Sequence, residues 1–135
     1  MKKLSIITPC YNEEVNVEIC AQELKKVMQE KLSGYDYEHI FADNASTDST
    51  LEKLRELAAK DDHIKVISNS RNVGPFRNMW NAMKSATGDA VVPLLPADLQ
   101  DPPSVIPELV KHWEQGFLVT YGVRANREES LIMRL

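Results

Sequence analysis

The residues best suited to chemistry in this chain are Asp98 and Gln100, within the segment Pro96–Pro103. They follow the apolar run Ala90–Leu95, which predicts a buried strand that delivers polar ligands to the rim of a sheet. Open α/β sheets bind ligands at the carboxyl ends of their strands. Oxygen ligands held there suit a hard cation, Mg²⁺ or Mn²⁺, which commonly bridges diphosphate oxygens. The segment therefore predicts a site for a divalent cation and a phosphorylated ligand.

Polar, turn-forming residues also follow three other predicted strands. The first strand ends in Thr8–Glu14, the second in Asp43–Asp48, and the third leads to Ser70–Gly74. Parallel strands point the same way, so these loops and the Asp98 loop are expected to open on one edge of the sheet. One acidic loop is usually a helix cap, whereas four converging polar loops indicate a binding site.

The elements that position these loops alternate between strand and helix. Strands are predicted at Leu4–Thr8, Tyr37–Ala42, Ile64–Ser68, Ala90–Leu95 and Leu118–Val123. Helices are predicted over Glu14–Leu32, after a Ser49/Glu52 capping box, from Pro75 through Met83, and from about Pro107 to Gln115 before Gly116. This alternation predicts an α/β fold with a mostly parallel sheet covered by helices on both faces.

Prolines and tryptophans give local expectations. Pro93 removes a ladder hydrogen bond, which predicts a bulge or an unpaired edge in the fourth strand. Pro102 and Pro103 predict a separate short turn before the last helix. Trp80 and Trp113 fall on helix faces and are expected in the core.

Composition limits the class of protein. The 135 residues fit one domain, 1–135, and a net charge of −4 argues against nucleic acid as a partner. No apolar stretch approaches about 20 residues, and Met1–Pro9 is predicted to hold the first strand, because its apolar part is too short for a signal peptide. Cys10 and Cys20 lack metal-ligand spacing and are expected to be reduced thiols in a cytoplasmic protein.

Five segments in order along the chain resemble the motifs of family 2 glycosyltransferases. Pro9–Glu13 resembles Pro-x-Tyr-Asn-Glu, Asp43–Thr50 the acidic nucleotide-contacting motif, Arg71–Gly74 the Arg-Asn-x-Gly motif, and Gly88-Asp89 the Gly-Asp before the fourth strand. Pro96–Pro103 is similar to the metal loop Asp-Ala-Asp-Leu-Gln-Asp-Pro-Pro. Asp101–Pro103 and Tyr121–Arg124 resemble the subgroup that glycosylates polyprenyl phosphates, which includes dolichyl-phosphate mannose synthase and its bacterial relatives. The implied fold is the Rossmann-like GT-A fold.

The resemblance implies a nucleoside-diphosphate-sugar site. Its residues would be Pro9, Tyr11, Glu13, Asp43, Asn44, Arg71 and Asp98. Tyr11 would stack on the base or ribose, Glu13 would accept ribose hydroxyls, Asp43 would accept a base N–H, and Arg71 would pair with diphosphate oxygens. Each residue also has a simpler structural explanation. Tyr11 would be an aromatic residue that fills space at the rim, and Glu13 a favourable charge in a first helical turn. Asp43 would form an Asx-type turn, and Arg71 a surface ion pair.

The resemblance also implies metal ligands and a reaction. Asp98 and Gln100 would hold Mg²⁺ or Mn²⁺ during one inverting displacement by a lipid-phosphate or glycan acceptor. Pro96 replaces the first Asp of the motif, which removes one carboxylate. No general base is identifiable, and a phosphate acceptor needs none because it is already anionic.

Relatives in this family continue with an acceptor-side portion and often with membrane helices. The chain is therefore interpreted as a truncated donor portion, with membrane association through missing C-terminal segments at the inner face of the cell membrane. The alternative is a non-catalytic module that binds a nucleotide or a protein, with Pro96 marking a degenerate metal site. A dinucleotide oxidoreductase is excluded because Thr8–Glu14 lacks the required glycines.

Overall fold

The computed structural model describes residues 1–124. The elements in chain order are β1 (Lys3–Cys10), α1 (Val17–Lys31), β2 (Asp36–Asp43), α2 (Thr50–Lys60), β3 (Ile64–Ser68), α3 (Pro75–Met83), β4 (Ala90–Val92), a short 3₁₀ helix (Pro103–Val105) and α4 (Ile106–Glu114). One compact unit covers Met1–Ser104, and a second begins at Val105. The loops that follow β1 to β4 all belong to the first unit.

The four strands form one parallel sheet in the order β3-β2-β1-β4. From Tyr37 to Asp43, β2 is continuously buried, as expected for a strand covered on both faces. Successive side chains of a strand point to opposite faces. Ile7, Ile40 and Ala42 belong to a cluster with Ala82 of α3.

The opposite face of the sheet carries α1. The Thr8 hydroxyl lies 3.9 Å from Cys20 Sγ in α1 and 2.8 Å from Nε2 of the buried His39. Burial lowers the pKa of His39 to about 3, so its imidazole is neutral at physiological pH. Helices on both faces and the parallel sheet confirm the predicted fold class.

A buried carboxylate joins the amino-terminal halves of the strands. Glu38 accepts hydrogen bonds from Ser5 Oγ at 2.5 Å, Thr87 N at 2.7 Å and Lys65 Nζ. Lys3 Nζ adds an ion pair at 3.3 Å. Burial alone would raise the pKa of Glu38, but these hydrogen bonds lower it to about 2.

Two strand predictions are wrong. β4 ends at Val92 rather than Leu95, because Pro93 cannot donate to the ladder, although Leu95 N still donates to Ile7 O at 2.8 Å. Pro93 therefore interrupts the pairing of an edge strand, which agrees with the unpaired edge that the sequence predicted at this proline. Residues 118–123 form no strand, and Leu118 and Val119 are exposed, because β propensity needs a partner strand to take effect.

Two side-chain predictions are also wrong. Ser49 makes no capping hydrogen bond through its side chain; instead Asp48 Oδ1 accepts from Thr50 N at 2.9 Å. Trp80 is 61% exposed because it lies on the outward face of α3. The turn at Pro103 and the last helix are confirmed, with Gly116 in the positive-φ conformation (φ 100°) just beyond α4.

Within residues 1–124, every helix is too short or too polar to cross a bilayer. The assignment of 1–135 to one donor portion stays a prediction, and residues 125–135 lie outside the described part of the chain.

Candidate nucleotide-sugar site

The register of the sheet aligns the ends of three strands. Cys10 pairs with Asp43, and Asp43 pairs with Ser68. The loops that leave these positions therefore start at the same level of one sheet edge. For three of the four loops, this is the convergence that the sequence predicted.

Asn12 joins the first two of these loops. Its backbone N–H donates to Ser46 Oγ at 2.9 Å, and its Oδ1 accepts from Thr47 N at 2.8 Å and Asp48 N at 3.3 Å. Asn12 has φ 52°, a left-handed conformation that asparagine tolerates better than most residues. Sequence reasoning assigned no role to Asn12, although an asparagine in a turn is the signal for this conformation.

Asp43 is 1% exposed and has one oxygen in use. Oδ2 accepts from Ser46 N at 3.2 Å, whereas Oδ1 is buried without a hydrogen-bond partner. Buried polar atoms are rarely left unpaired, so a free carboxylate oxygen at a ligand edge is suited to a donor from outside the chain. The turn and the ligand role are thus compatible, because each uses a different oxygen.

Asn44 is buried, and both ends of its amide are used inside the protein. Oδ1 accepts from Asn69 Nδ2 at 3.2 Å and from Val73 N at 3.0 Å, while Nδ2 donates to Asn72 Oδ1 at 2.9 Å. Asn44 therefore holds the loop after β3, and Asn72 is the second residue of that loop's motif. The sequence predicted a ligand-binding residue here, and this positioning role was missed.

The hydrogen bonds around Asn44 and the loop after β3 continue to α3. Asn78 of α3 donates to Ala42 O at 2.8 Å and accepts from Asn69 at 2.8 Å. Gly74 N donates to Asn72 Oδ1 at 2.9 Å, and Gly74 has φ 86°, which explains the glycine that closes the Arg-Asn-x-Gly motif. These residues fix the start of α3 against the sheet.

Asp98 and Gln100 lie in one exposed turn. Asp98 Oδ1 accepts from Gln100 N at 3.2 Å, and Leu99 between them has φ 58°. Leu99 N donates to Pro96 O at 3.0 Å, so Pro96 supplies an acceptor to the turn. The structure thus places both residues in one exposed turn, and their joint use as metal ligands stays a prediction.

Two cavities that share Pro9 and Pro75 collect most of the predicted residues. One, of about 280 Å³, is lined by Pro9, Cys10, Tyr11, Asn44, Asn72, Pro75 and Asn78. The other, of about 220 Å³, is lined by Pro9, Glu13, Pro75, Phe76, Met79, Leu94, Pro96, Ala97 and Asp98. Tyr11 is 47% exposed, which leaves its ring available for stacking.

Arg71 lies elsewhere. It lines a groove of about 630 Å³ with Arg77 and Trp80, not the cavities that hold Tyr11 and Asp98. Its predicted contact with diphosphate oxygens stays a prediction.

The donors fit a cation that arrives with a ligand. Residues 1–124 contain no group of three His, Cys, Asp or Glu side chains arranged to hold a metal. Asp98 and Gln100 offer oxygen donors, and Glu13 lines the same cavity as Asp98 with Oε2 held by Asn16 Nδ2 at 2.7 Å. Mg²⁺ usually takes one or two carboxylates plus substrate phosphates. The donor set therefore matches a divalent cation shared with a diphosphate.

The two thiols contribute no nucleophile at neutral pH. Burial raises the pKa of Cys10 well above its usual range and that of Cys20 to about 11. Both cysteines are free and buried.

The sequence model described as Glycosyl transferase family 2 matches residues 5–132. The chain belongs to glycosyl transferase family 2. It is 40% identical to the uncharacterized glycosyltransferase YkcC of Bacillus subtilis over 92% of its length, and 35% identical over its full length to the undecaprenyl-phosphate 4-deoxy-4-formamido-L-arabinose transferase of Pectobacterium carotovorum. It spans 38% and 41% of those two proteins, respectively.

Solved structures of glycosyltransferases share the fold of this family 2 chain. The mannosyltransferase of Pyrobaculum calidifontis, solved with GDP-Man and Mn²⁺, has a TM-score of 0.68 at 24% identity over 82% of this chain and 32% of its own. Glucosyl-3-phosphoglycerate synthase of Mycobacterium tuberculosis, solved with Mn²⁺, UDP and phosphoglyceric acid, has a TM-score of 0.62 at 26% identity over 83% of this chain and 39% of its own. The parallel sheet is thus a GT-A fold, as the sequence motifs predicted.

Proposed function

We propose that this chain carries the nucleotide-sugar-binding part of a transferase that moves a sugar from a nucleoside diphosphate to a polyprenyl phosphate. The observation that carries the donor half is the unpaired Oδ1 of the buried Asp43, at the edge where the loops converge. The acceptor half draws support from the relative that acts on undecaprenyl phosphate. A lipid acceptor would put the reaction at a membrane surface, and we propose the cytoplasmic one.

Each residue then has a distinct task. Asp43 Oδ1 accepts an N–H from the base, and Tyr11 stacks on the base or ribose. Glu13 accepts ribose hydroxyls. Asp98 and Gln100 would hold a divalent cation, which would supply the positive charge that neutralises the leaving diphosphate.

Attack by a phosphate acceptor requires no general base from the protein. A phosphate oxygen is already anionic, so it attacks the anomeric carbon without a general base. The carbon–oxygen bond to the diphosphate breaks as the new bond forms on the opposite side, which inverts the configuration. The protein's part is therefore positioning and charge stabilisation.

Calorimetric titration of UDP, GDP, CDP and dTDP, each with and without Mn²⁺, tests the donor site. We expect one nucleotide to bind only with Mn²⁺. Asp98 and Gln100 offer too few ligands to hold the cation by themselves, so the cation and the diphosphate should bind together. Asp98→Ala should abolish this Mn²⁺-dependent binding. Asp43→Asn should weaken binding by about tenfold or more, because hydrogen bonds to charged groups are worth roughly 1.5–3 kcal/mol.

Asp62→Asn is the matched control, since Asp62 is exposed and precedes the amino end of β3. If it weakens binding as much as Asp43→Asn, the loss reflects general charge and the proposed base contact is wrong.

A second candidate, the non-catalytic module, is favoured by Pro96 and by the lack of a three-ligand metal cluster in residues 1–124. Nucleotide binding that ignores both Mn²⁺ and Asp98→Ala would support this candidate and contradict the transferase proposal.

A further inference from the structure

Most of the outward face of α3 lies outside the cavities of the nucleotide site, and only Phe76 borders one of them, the cavity of Asp98. Phe76 is 80% exposed and Trp80 61% exposed, and Arg77 and Lys84 are exposed as well. At 3.6 residues per turn these four positions fall within an arc of about 100°. The buried residues of the helix, Asn78 and Ala82, lie on the other side. The face therefore combines two large rings with two cations.

A groove of about 630 Å³ lies along this face. Three cations line it: Arg71 from the loop after β3, Arg77 from α3, and Lys84 at the helix end. Trp80 also lines it, and the remaining lining residues are uncharged, so no carboxylate faces these cations. The groove is a concentration of positive charge on a chain whose net charge is −4.

The cations of the groove have no partner within the protein. Among residues 1–124, the side chains of Arg71, Arg77 and Lys84 make neither an ion pair nor a hydrogen bond, whereas Lys3, Lys25 and Lys65 do. Three like charges around one groove repel one another unless an anion lies between them. The groove is therefore complementary to an anionic ligand.

We infer that this face docks on an anionic membrane surface, with lipid phosphates in the groove and Trp80 and Phe76 at the headgroup level. Basic side chains are attracted to anionic headgroups, and indole rings favour the membrane–water interface. Because the whole chain has a net charge of −4, attraction to an anionic surface is expected only at this groove.

The docking also orients the nucleotide site. Phe76 lines the Asp98 cavity, and its neighbour Arg77 lines the groove. A membrane bound by this face therefore lies beside the Asp98 cavity. The inference does not depend on sugar transfer, because vesicle binding is measured without nucleotide.

Vesicle co-sedimentation tests the inference, with phosphatidylcholine vesicles that contain or lack phosphatidylglycerol. We expect the protein to bind only the anionic vesicles and to be released by salt. The double variant Arg77→Gln/Lys84→Gln should lower the affinity by about thirtyfold, because each basic residue near an anionic surface gives roughly a fivefold factor. In a Trp113→Phe background, the emission of Trp80 should shift to the blue on binding.

Lys26→Gln/Lys31→Gln is the matched control, because it removes the same charge from exposed positions of α1. The inference is overturned if this control loses as much affinity as the α3 variant, or if neutral vesicles bind equally well. It is also overturned if vesicles do not bind, if inorganic phosphate releases the protein more readily than sodium chloride at the same ionic strength, or if a single-stranded oligonucleotide displaces it from the vesicles. Variants that unfold are recognised by circular dichroism, and Trp80→Ala then serves in place of the double variant.

Discussion

Single asparagine side chains position the ligand loops. Asn12 holds the loop after β2, Asn44 holds the loop after β3, and Asn78 attaches α3 to the end of β2. An amide both donates and accepts, so one side chain can bind two different segments, as Asn78 does with Ala42 O and Asn69 Nδ2. The asparagines therefore hold much of the loop structure, and Asp43 keeps one oxygen unpaired.

The first prediction concerns Asn12. Asn12→Ala should lower the free energy of unfolding by about 1–2 kcal/mol, because two backbone N–H groups lose their acceptor. It should also weaken nucleotide binding, because Tyr11 and Glu13 are no longer held against the loop after β2. Urea denaturation and the calorimetric titration above measure the two effects.

Asn12→Asp is the conservative comparison, because it keeps the acceptor oxygen. Equal losses in both variants would contradict the prediction, because Asp keeps the acceptor oxygen and also tolerates the φ of 52°.

The sequence predicted which acidic residues reach the sheet edge but not how they are used. Asp98 and Gln100 follow from an apolar run that ends in polar residues. The hydrogen bonds of the Asn44 amide do not follow from the sequence in this way. Its partners Asn69, Asn72 and Val73 come from a loop 25 to 29 residues later in the chain. Such partners are fixed by tertiary structure, which periodicity does not record.

At the scale of elements, β2 and β3 were predicted best, although β2 is continuously buried and β3 is only partly buried. β2 and β3 match their apolar runs, whereas β4 stops at Val92 because Pro93 lacks an N–H. The helices were predicted by their spacing, but spacing does not say which side is covered. Trp80 therefore lies outward on α3, where burial in a core was expected.

The second prediction concerns the turn before β4. A Cβ on Gly88 would lie 2.7 Å from Ser5 N and 2.8 Å from Lys3 O, both of them backbone atoms of β1. Gly88→Ala should therefore destabilise the protein by about 1–3 kcal/mol, the usual cost of overpacking. Thermal unfolding measures the loss.

Gly34→Ala provides the comparison, since a Cβ there meets no atom within 4 Å. If both variants unfold at the same temperature, β4 is not packed against β1 at Gly88 as described.

At the scale of the whole molecule, one ionised group joins most of the sheet. Glu38 of β2 binds Ser5 of β1, Lys65 of β3 and Thr87 before β4. It is 1% exposed, and its hydrogen-bond donors compensate for the loss of hydration. Removal of the charge should thus affect the fold as a unit rather than one loop.

The third prediction is a pH dependence of stability. The pKa of Glu38 falls from its ordinary 4.5 to about 2 on folding, which corresponds to roughly 3 kcal/mol. This stabilisation is complete above pH 4.5 and is lost as the pH falls towards 2. Glu38→Gln should therefore be less stable than the wild type by roughly that amount at pH 7, and the difference should narrow in acid.

Denaturant titrations at several pH values measure this difference, with the exposed Glu23→Gln as the control. A constant difference between wild type and Glu38→Gln from pH 7 to pH 3 would contradict the prediction, because it would show that Glu38 is not ionised preferentially in the fold.

The buried glutamate also bears on how such a chain can diverge. Ser5 pairs with Glu38 and Cys10 with Asp43, so the anchor and the ligand loops are five residues, or about 16 Å, apart along the strands. Substitutions in the loops after β1 and β2 can therefore accumulate while the anchor keeps the sheet folded. Selection can alter the choice of base or sugar at one end of the sheet, and the ancestral scaffold persists at the other.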